Sequence, residues 1–250
     1  MQNIIDQFAD TIRTAAERKA PLHICGGGSK EFYGNRIAGQ NISVLDVTAY
    51  SGIVAYEPTE LVVTARTGTR LADLEAELYK HRQMLAFEPP YFGAAATLGG
   101  CVATGLSGPR RASVGAVRDL VLGVRMLDGR GDDLRFGGQV MKNVAGYDIS
   151  RLMTGSMGTL GLLLQVSLKV LPLPPTEMTL SLQMKQAEAI EKMNLWAGKP
   201  LPISATCFCN AALTLRLSGA EAAVRAAHAK LGGEEVAEDA AFWQSVREQT

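Results

Sequence analysis

The chain has 250 residues, with 25 Lys+Arg against 25 Asp+Glu and a formal net charge of zero, which leaves no electrostatic footprint for nucleic acid or anionic lipid. Hydrophobic residues make up 47% and charged residues 20%, enough apolar surface for one large domain or two ordinary ones, and this excludes global disorder. The four cysteines, Cys25, Cys101, Cys207 and Cys209, include no CxxC pair, so they read as neither a disulfide framework nor a zinc or iron–sulfur ligand set.

Ile4, Ile5, Phe8, Ile12, Ala15 and Ala16 recur at helical spacing and predict an amphipathic N-terminal helix, ended by Pro21. Acids and bases interrupt its apolar pattern, so it does not read as a signal peptide. No run is apolar for the roughly 18 residues a membrane span needs, and the expected location is the cytosol, with any membrane attachment made through partner subunits. A short buried strand at 22–25 runs into Gly26-Gly27-Gly28-Ser29-Lys30, and strands follow at 44–47, 53–56 and 61–66. Thr69 is placed to cap a helix whose Leu71, Leu74 and Leu78 share one face.

A second glycine-rich region covers 93–115 and ends near Pro109-Arg110-Arg111. Apolar runs at 120–127 and 132–136 flank Asp128-Gly129-Arg130-Gly131, a hairpin signal. A third glycine-rich stretch precedes a long apolar strand at 160–171. Pro172, Pro174 and Pro175 then break regular structure, giving a linker at 172–175 between a domain at 1–171 and one at 176–250. The second domain reads strand, helix, strand, strand, helix, strand. This βαββαβ order is the ferredoxin-like unit, and a last helix is expected from Ala240 to Gln249. Cys207 and Cys209 share a strand face and read as small core hydrophobes, as Trp196 and Trp243 read as core or interface residues.

Three consecutive glycines cost roughly 0.5–1 kcal/mol each in ordering entropy. At Gly26, Gly27 and Gly28 this is met either by a phosphate cradled on successive N–H groups or by a tight loop with no ligand. The segment is neither a GxGxxG fingerprint, because Glu31 stands where the last glycine belongs, nor a P-loop. In the second region Thr97 and the small residues after it let a flat or phosphorylated ligand lie on the backbone, or let a helix pack tightly. The third combines Met141-Lys142-Asn143-Val144-Ala145-Gly146-Tyr147-Asp148 with Gly155-Ser156-Met157-Gly158-Thr159-Leu160-Gly161. Arg110-Arg111 suits a carboxylate or phosphate, or a solvated turn; Lys142 suits positive charge beside a bound ligand, or an ordinary ion pair.

Taken in order, the Gly-Gly-Gly-Ser loop, the 57–69 run Glu-Pro-Thr-Glu-Leu-Val-Val-Thr-Ala-Arg-Thr-Gly-Thr, Ala96-Thr97-Leu98-Gly99-Gly100, the 115–123 run and Gly-Ser-Met-Gly-Thr-Leu-Gly resemble the FAD-binding domain of the vanillyl-alcohol-oxidase/p-cresol-methylhydroxylase superfamily. The likeness covers about residues 21–171. The segments at 106–111 and 141–148 are similar to the E-type subunits of glycolate oxidases. The implied fold class is α+β: a two-subdomain FAD-binding fold followed by a partial ferredoxin-like cap. The resembling subunits are longer, so the cap is expected to be incomplete, either in a fragment or in a shortened form.

Carried over by motif, Gly26, Gly27, Gly28, Ser29 and Lys30 match the pyrophosphate loop. Thr97, Gly99, Gly100, Ala103, Gly105, Ser107 and Gly108 match the second FAD-contacting stretch, and Ser113, Ala116 and Asp119 lie in the segment after it. Lys142, Gly146, Leu163 and Val166 fall where the family lines the isoalloxazine and adenine ends. The three histidines, His23, His81 and His228, lie outside these loops, and Cys25 and Cys101 read as packing residues, so the expected FAD is non-covalent. The His-rich metal and base motif of the catalytic D-type relatives has no counterpart here, and no metal site or catalytic residue is assigned. The resemblance therefore implies an FAD-binding subunit working with a catalytic D-type flavin subunit and an iron–sulfur subunit, glycolate being oxidised to glyoxylate on the partner. Two rivals are a self-sufficient FAD-dependent 2-hydroxy-acid oxidoreductase and an interaction subunit that has lost FAD.

Overall fold

A computed structural model describes residues 2–35, 42–138 and 147–250. The chain divides into two compact units. The first is formed by residues 1–85, 89–106 and 116–171, the second by 86–88, 107–115 and 172–250. Two short stretches of the N-terminal half thus cluster with the C-terminal third.

The first unit opens with α1 (Gln2–Glu17), whose Ile5, Phe8, Ala9 and Ile12 are buried. Strands β1 (Leu22–Cys25) and β2 (Ser43–Asp46) pair in parallel. The buried face of α1 joins Leu45, Val47, Tyr50, Leu127, Leu162 and Leu164 in one cluster. Burying side chains of this kind contributes about 1.5–3 kcal/mol each, so packing rather than intrinsic propensity holds the helix. Next come β3 (Ile53–Glu57), β4 (Val62–Arg66), α2 (Leu71–Lys80), the two-residue β5 (Gln83–Met84) and α3 (Leu98–Thr104). Leu71, Leu74 and Leu78 of α2 are fully buried. Thr69 does not cap α2: the N-cap is Arg70, which makes no side-chain cap bond. The Thr69 hydroxyl instead accepts the Gly52 N–H at 2.9 Å, because the turn at 66–69 folds back onto the 50–52 loop.

Short helices α4 (Arg111–Val114) and α5 (Val117–Leu120) precede β6 (Val121–Leu127), β7 (Asp133–Gly137), α6 (Ile149–Leu152) and β8 (Leu162–Lys169). The main sheet runs β3-β4-β8-β6-β7 and is antiparallel throughout its described pairings. The β6–β7 hairpin turns where the Asp-Gly sequence predicts. The Asp128 carboxylate accepts the N–H groups of Arg130 and Asp132 at 2.8 and 3.0 Å, and Gly131 takes a φ of +73°. Across the hairpin Arg125 forks onto Asp133.

Both hairpin carboxyls are held below the ordinary value of 3.8, Asp128 chiefly by the Asp132 N–H and Asp133 chiefly by the Arg125 side chain. A carboxyl lowered in the folded state stabilises the fold above its unfolded value, and that contribution is lost as pH falls from there through the lowered one. Stability should therefore drop as pH falls below about 3.8. In Asp128→Asn/Asp133→Asn this acid limb should flatten, measured as the urea midpoint by far-ultraviolet circular dichroism from pH 5 downwards. An unchanged slope would refute the assignment.

After β9 (Leu171–Pro172), the second unit contains β10 (Thr176–Gln183), α7 (Gln186–Ala197), β11 (Ile203–Cys209), β12 (Ala212–Gly219), α8 (Glu221–Leu231), β13 (Glu234–Glu235) and α9 (Ala240–Glu248). The sheet order β11-β12-β10-β13 is that of a βαββαβ ferredoxin-like unit. Leu213, Leu215 and Leu217 alternate along β12 and pack with Leu180, Ala189, Trp196, Val224 and Ala227. Trp196 and Trp243 are both buried. Cys207 is half-buried and Cys209 exposed, not core as the pattern suggests, because β11 ends in the turn at Asn210–Ala211 where the sheet face runs out.

On the other face of β12 lies a buried ion cluster. The Glu88 carboxylate accepts Arg110 Nε at 3.0 Å and Arg216 Nη2 at 2.8 Å, and Arg110 Nη2 also meets Glu177. The guanidinium of Arg216 lies 4.8 Å from the Trp243 ring centre. Arg110 is thus no solvated turn residue: it is 4% exposed.

Candidate functional site

Parts of the three glycine-rich segments, residues 26–30, 93–105 and 155–161, come together in the first unit. A Cβ placed on Gly26 would lie 2.5 Å from Thr97 Oγ1, and one on Gly27 would lie 1.6 Å from the Ala95 carbonyl oxygen. The loop after β1 and the loop before α3 therefore touch backbone to backbone, an approach only glycine permits. The third segment packs behind α3. Gly155 and Met157 donate their N–H groups to the Val102 and Ala103 carbonyls at 3.0 and 2.9 Å, and Gly105 sits 3.2 Å, measured from its added Cβ, from the Gly155 Cα.

The two front loops differ in which donors remain available. Leu98 and Gly99 give their N–H groups to the Thr69 and Thr67 carbonyls, each at 2.8 Å, and Gly100 gives its own to Thr97 Oγ1 at 3.3 Å. The start of α3 is satisfied within the protein. By contrast, the N–H groups of Gly26, Gly27 and Ser29 meet no acceptor among the described residues, while that of Gly28 points to the Cys25 sulfur. Half-buried N–H groups left in this way carry a cost unless something accepts from them. Lys30 is turned elsewhere: it is 7% exposed, with Nζ 3.2 Å from the Tyr91 carbonyl and 5.7 Å from the Phe92 ring centre.

A cleft of about 480 Å³ opens beside these loops, within the range of about 300–1,000 Å³ for small-molecule sites. Gly27, Ala95 and Thr97 form one wall, with Thr48, Ser51 and Gly52, then Thr69, Arg70, Asp73 and Glu77, around the rest. Arg70 is fixed there by a 3.0 Å bond from Nη2 to the Ala94 carbonyl. No ligand contact is expected from the sequence for the residues from Thr48 to Gly52 or from Gly68 to Glu77. The signal available was the Thr67-Gly68-Thr69 turn: a Cβ on Gly68 would lie 2.3 Å from the Val47 carbonyl oxygen, so this turn too closes against a neighbouring loop.

The remaining expected positions are distributed as follows. Ser107, Gly108 and Ser113 belong to the second unit. Gly108 donates to the Phe87 carbonyl at 2.8 Å, and the Ser113 hydroxyl lies 3.0 Å from the Arg110 and Ser204 carbonyls. The Ala116 N–H donates to Asp119 at 2.9 Å, a local cap on α5. Leu163 and Val166 lie on β8 at 6% and 0% exposure, their side chains in the core. Lys142 and Gly146 lie outside the described residues.

A glycine loop with unmatched N–H donors after a β-strand, beside a cleft of this volume, is the arrangement of a nucleotide-binding domain. Residues 4–137 match the FAD binding domain family, and the chain belongs to it, as a p-cresol-methylhydroxylase-type FAD-dependent oxidoreductase component. It is 52% identical over 240 residues to glycolate oxidase subunit GlcE of Escherichia coli (strain K12), covering 96% of this chain and 67% of that one. It is 30% identical to a D-lactate dehydrogenase of Anaerostipes hadrus, over 73% of this chain and 38% of the relative, and 29% identical to glycolate oxidase subunit GlcD of Bacillus subtilis (strain 168), over 70% and 37%. A solved alkyldihydroxyacetonephosphate synthase shares the fold at a TM-score of 0.74 and 15% identity, over 96% of this chain and 52% of that one. The residues present fit FAD: a loop with N–H donors in need of an acceptor, and a cleft lined in part by that loop's Gly27. No helix among the described residues is long and apolar enough to cross a membrane.

Proposed function

We propose that this chain is the FAD-carrying E-type subunit of a glycolate oxidase complex, working with a D-type flavin subunit that oxidises glycolate to glyoxylate and with an iron–sulfur subunit. The 52% identity to GlcE across 96% of the chain carries this reading. In it, the N–H groups of Gly26, Gly27 and Ser29 hold the diphosphate of a non-covalent FAD. Arg70 supplies positive charge at the cleft wall, and Asp73 and Glu77 supply acceptors for hydroxyl groups. Gly99, Gly100, Ala103 and Gly105 serve it from behind, by letting α3 pack closely enough for the two front loops to meet. When bound, FAD supplies a two-electron acceptor. The chain's three histidines are His23, His81 and His228, on β1, after α2 and on α8. None lines the cleft, which supports placing the proton-abstracting base on the D-type partner.

The test is reconstitution. The purified chain should show flavin absorption near ~370 and ~450 nm and no glycolate-dependent dye reduction alone. It should co-purify with co-expressed D-type and iron–sulfur subunits, and dye reduction should require all three. Full turnover by this chain alone would replace the reading with a self-sufficient hydroxy-acid oxidoreductase. A colourless chain that takes up no added FAD, even within the assembled complex, would replace it with an interaction subunit.

A further inference from the structure

On β1, His23 and Cys25 are two residues apart, so the pleat puts both side chains on one face. The turn after Gly28 brings Glu31 back to that face, with its Oε1 3.7 Å from Cys25 Sγ. The imidazole nitrogen, the thiol sulfur and a carboxylate oxygen all lie within 4.8 Å of one another. Two of the three residues are half-buried and the third is exposed, so the cluster is held by the fold and is open to solvent.

From this cluster we infer a binding site for a thiophilic divalent cation of the Zn²⁺ type, ligated by His23, Cys25 and Glu31. Tetrahedral zinc holds sulfur at about 2.3 Å and nitrogen or oxygen at about 2.0 Å, which places ligand atoms roughly 3.3–3.5 Å apart. The Cys25–Glu31 pair is already close to this at 3.7 Å, and no pair lies beyond 4.8 Å, so side-chain rotations that close the gaps by up to about 1.5 Å complete the geometry. One nitrogen, one sulfur and one oxygen suit Zn²⁺ or Co²⁺ and disfavour Mg²⁺ and Ca²⁺, which take oxygen sets. A fourth position stays open to water. On binding, the Cys25 S–H bond breaks, the proton passes to solvent and the thiolate pair forms the metal bond, with no change of oxidation state. Because binding displaces the thiol proton, affinity should climb with pH. The ion would tie the end of β1 to the far side of the glycine loop.

The experiment uses the full chain, as purified with its flavin, in a Cys207→Ser/Cys209→Ser background that removes the half-buried and exposed thiols of β11. Zn²⁺ is titrated calorimetrically in two buffers of different ionisation enthalpy, and Co²⁺ is followed by its visible d–d bands. Expected are one site with Kd below about 100 μM, release of about one proton, and tetrahedral Co²⁺ bands. Cys25→Ser, nearly isosteric, should weaken binding by about 100-fold or more, and His23→Ala and Glu31→Gln by about tenfold or more. A weaker site in the background protein, or Cys25→Ser binding Zn²⁺ as tightly as its parent, overturns the inference. Neither outcome bears on the flavin, whose spectrum is recorded separately in the same samples.

Discussion

Gly27→Ala should purify with less than about a tenth of the parent's flavin, measured as the ratio of 450 to 280 nm absorbance. The added methyl would lie 1.6 Å from the Ala95 carbonyl oxygen and 2.5 Å from its carbon. Both are backbone atoms of a loop held by the α3 cap and by the Gly93 carbonyl, so neither can rotate away. The two loops must separate, and overpacking of this kind costs about 1–3 kcal/mol or more. Separation also disperses the N–H groups of Gly26, Gly27 and Ser29, so cofactor retention falls further than stability. Gly28→Ala is the control. Its Cβ would sit 3.5 Å from Glu31 Oε1, an ordinary contact, leaving only the strain of a φ of +67°, about 1–2 kcal/mol. Equal retention in the two variants, or full retention in Gly27→Ala, would show that the loop contact does not shape the cofactor site. Melting the flavin-free proteins separates damage to the fold from damage to the site.

Glu88→Ala should lower the stability of the second unit by about 3–5 kcal/mol, the usual consequence of leaving buried charge without its partner. Glu88 stands between two guanidinium groups whose side chains are 5% and 7% exposed, and it contacts both. Without it, Arg110 and Arg216 face each other with only Glu177, itself 38% exposed, to balance them. The chain's two tryptophans, Trp196 and Trp243, both lie in this unit, so urea unfolding followed by tryptophan fluorescence reports on it directly. Glu88→Gln keeps the shape and some hydrogen bonding, and should lose about half as much. A shift below about 1 kcal/mol for Glu88→Ala would mean that solvent reaches the cluster and screens it.

Local signals carried most of the architecture. The apolar spacing of Ile5, Phe8 and Ile12 suffices for α1, because that helix needs one sticky face. Asp128-Gly129 suffices for the hairpin, because the turn satisfies its own N–H groups within five residues. The order of strands and helices after Pro175 was likewise readable. The glycine segments were legible as places of close approach, but not as to what approaches: at Gly27 it is the Ala95 carbonyl, at Gly99 it is Thr67, and only the first loop keeps donors for a ligand. The burial of Arg110 was hidden because its partners are 22 and 67 residues away. An arginine beside a proline and a second arginine looks solvated until Glu88 and Glu177 are placed around it. The cleft residues from Gly68 to Glu77 were passed over for a similar reason, since the turn that exposes them depends on Val47 and Tyr50.

The second unit draws residues 86–88 and 107–115 from the first half of the chain. During synthesis this sets an order of events. Arg110 leaves the ribosome well before Ser218, which is 108 positions downstream; at roughly 5–20 residues per second that is a wait of about 5–20 seconds. Throughout that interval the guanidinium must stay hydrated, and it is enclosed only once β12 emerges. Cutting the gene at the proline-rich junction would therefore yield a C-terminal fragment whose Arg216 has no Glu88 to meet, and that fragment should unfold at lower urea than the same segment within the whole chain.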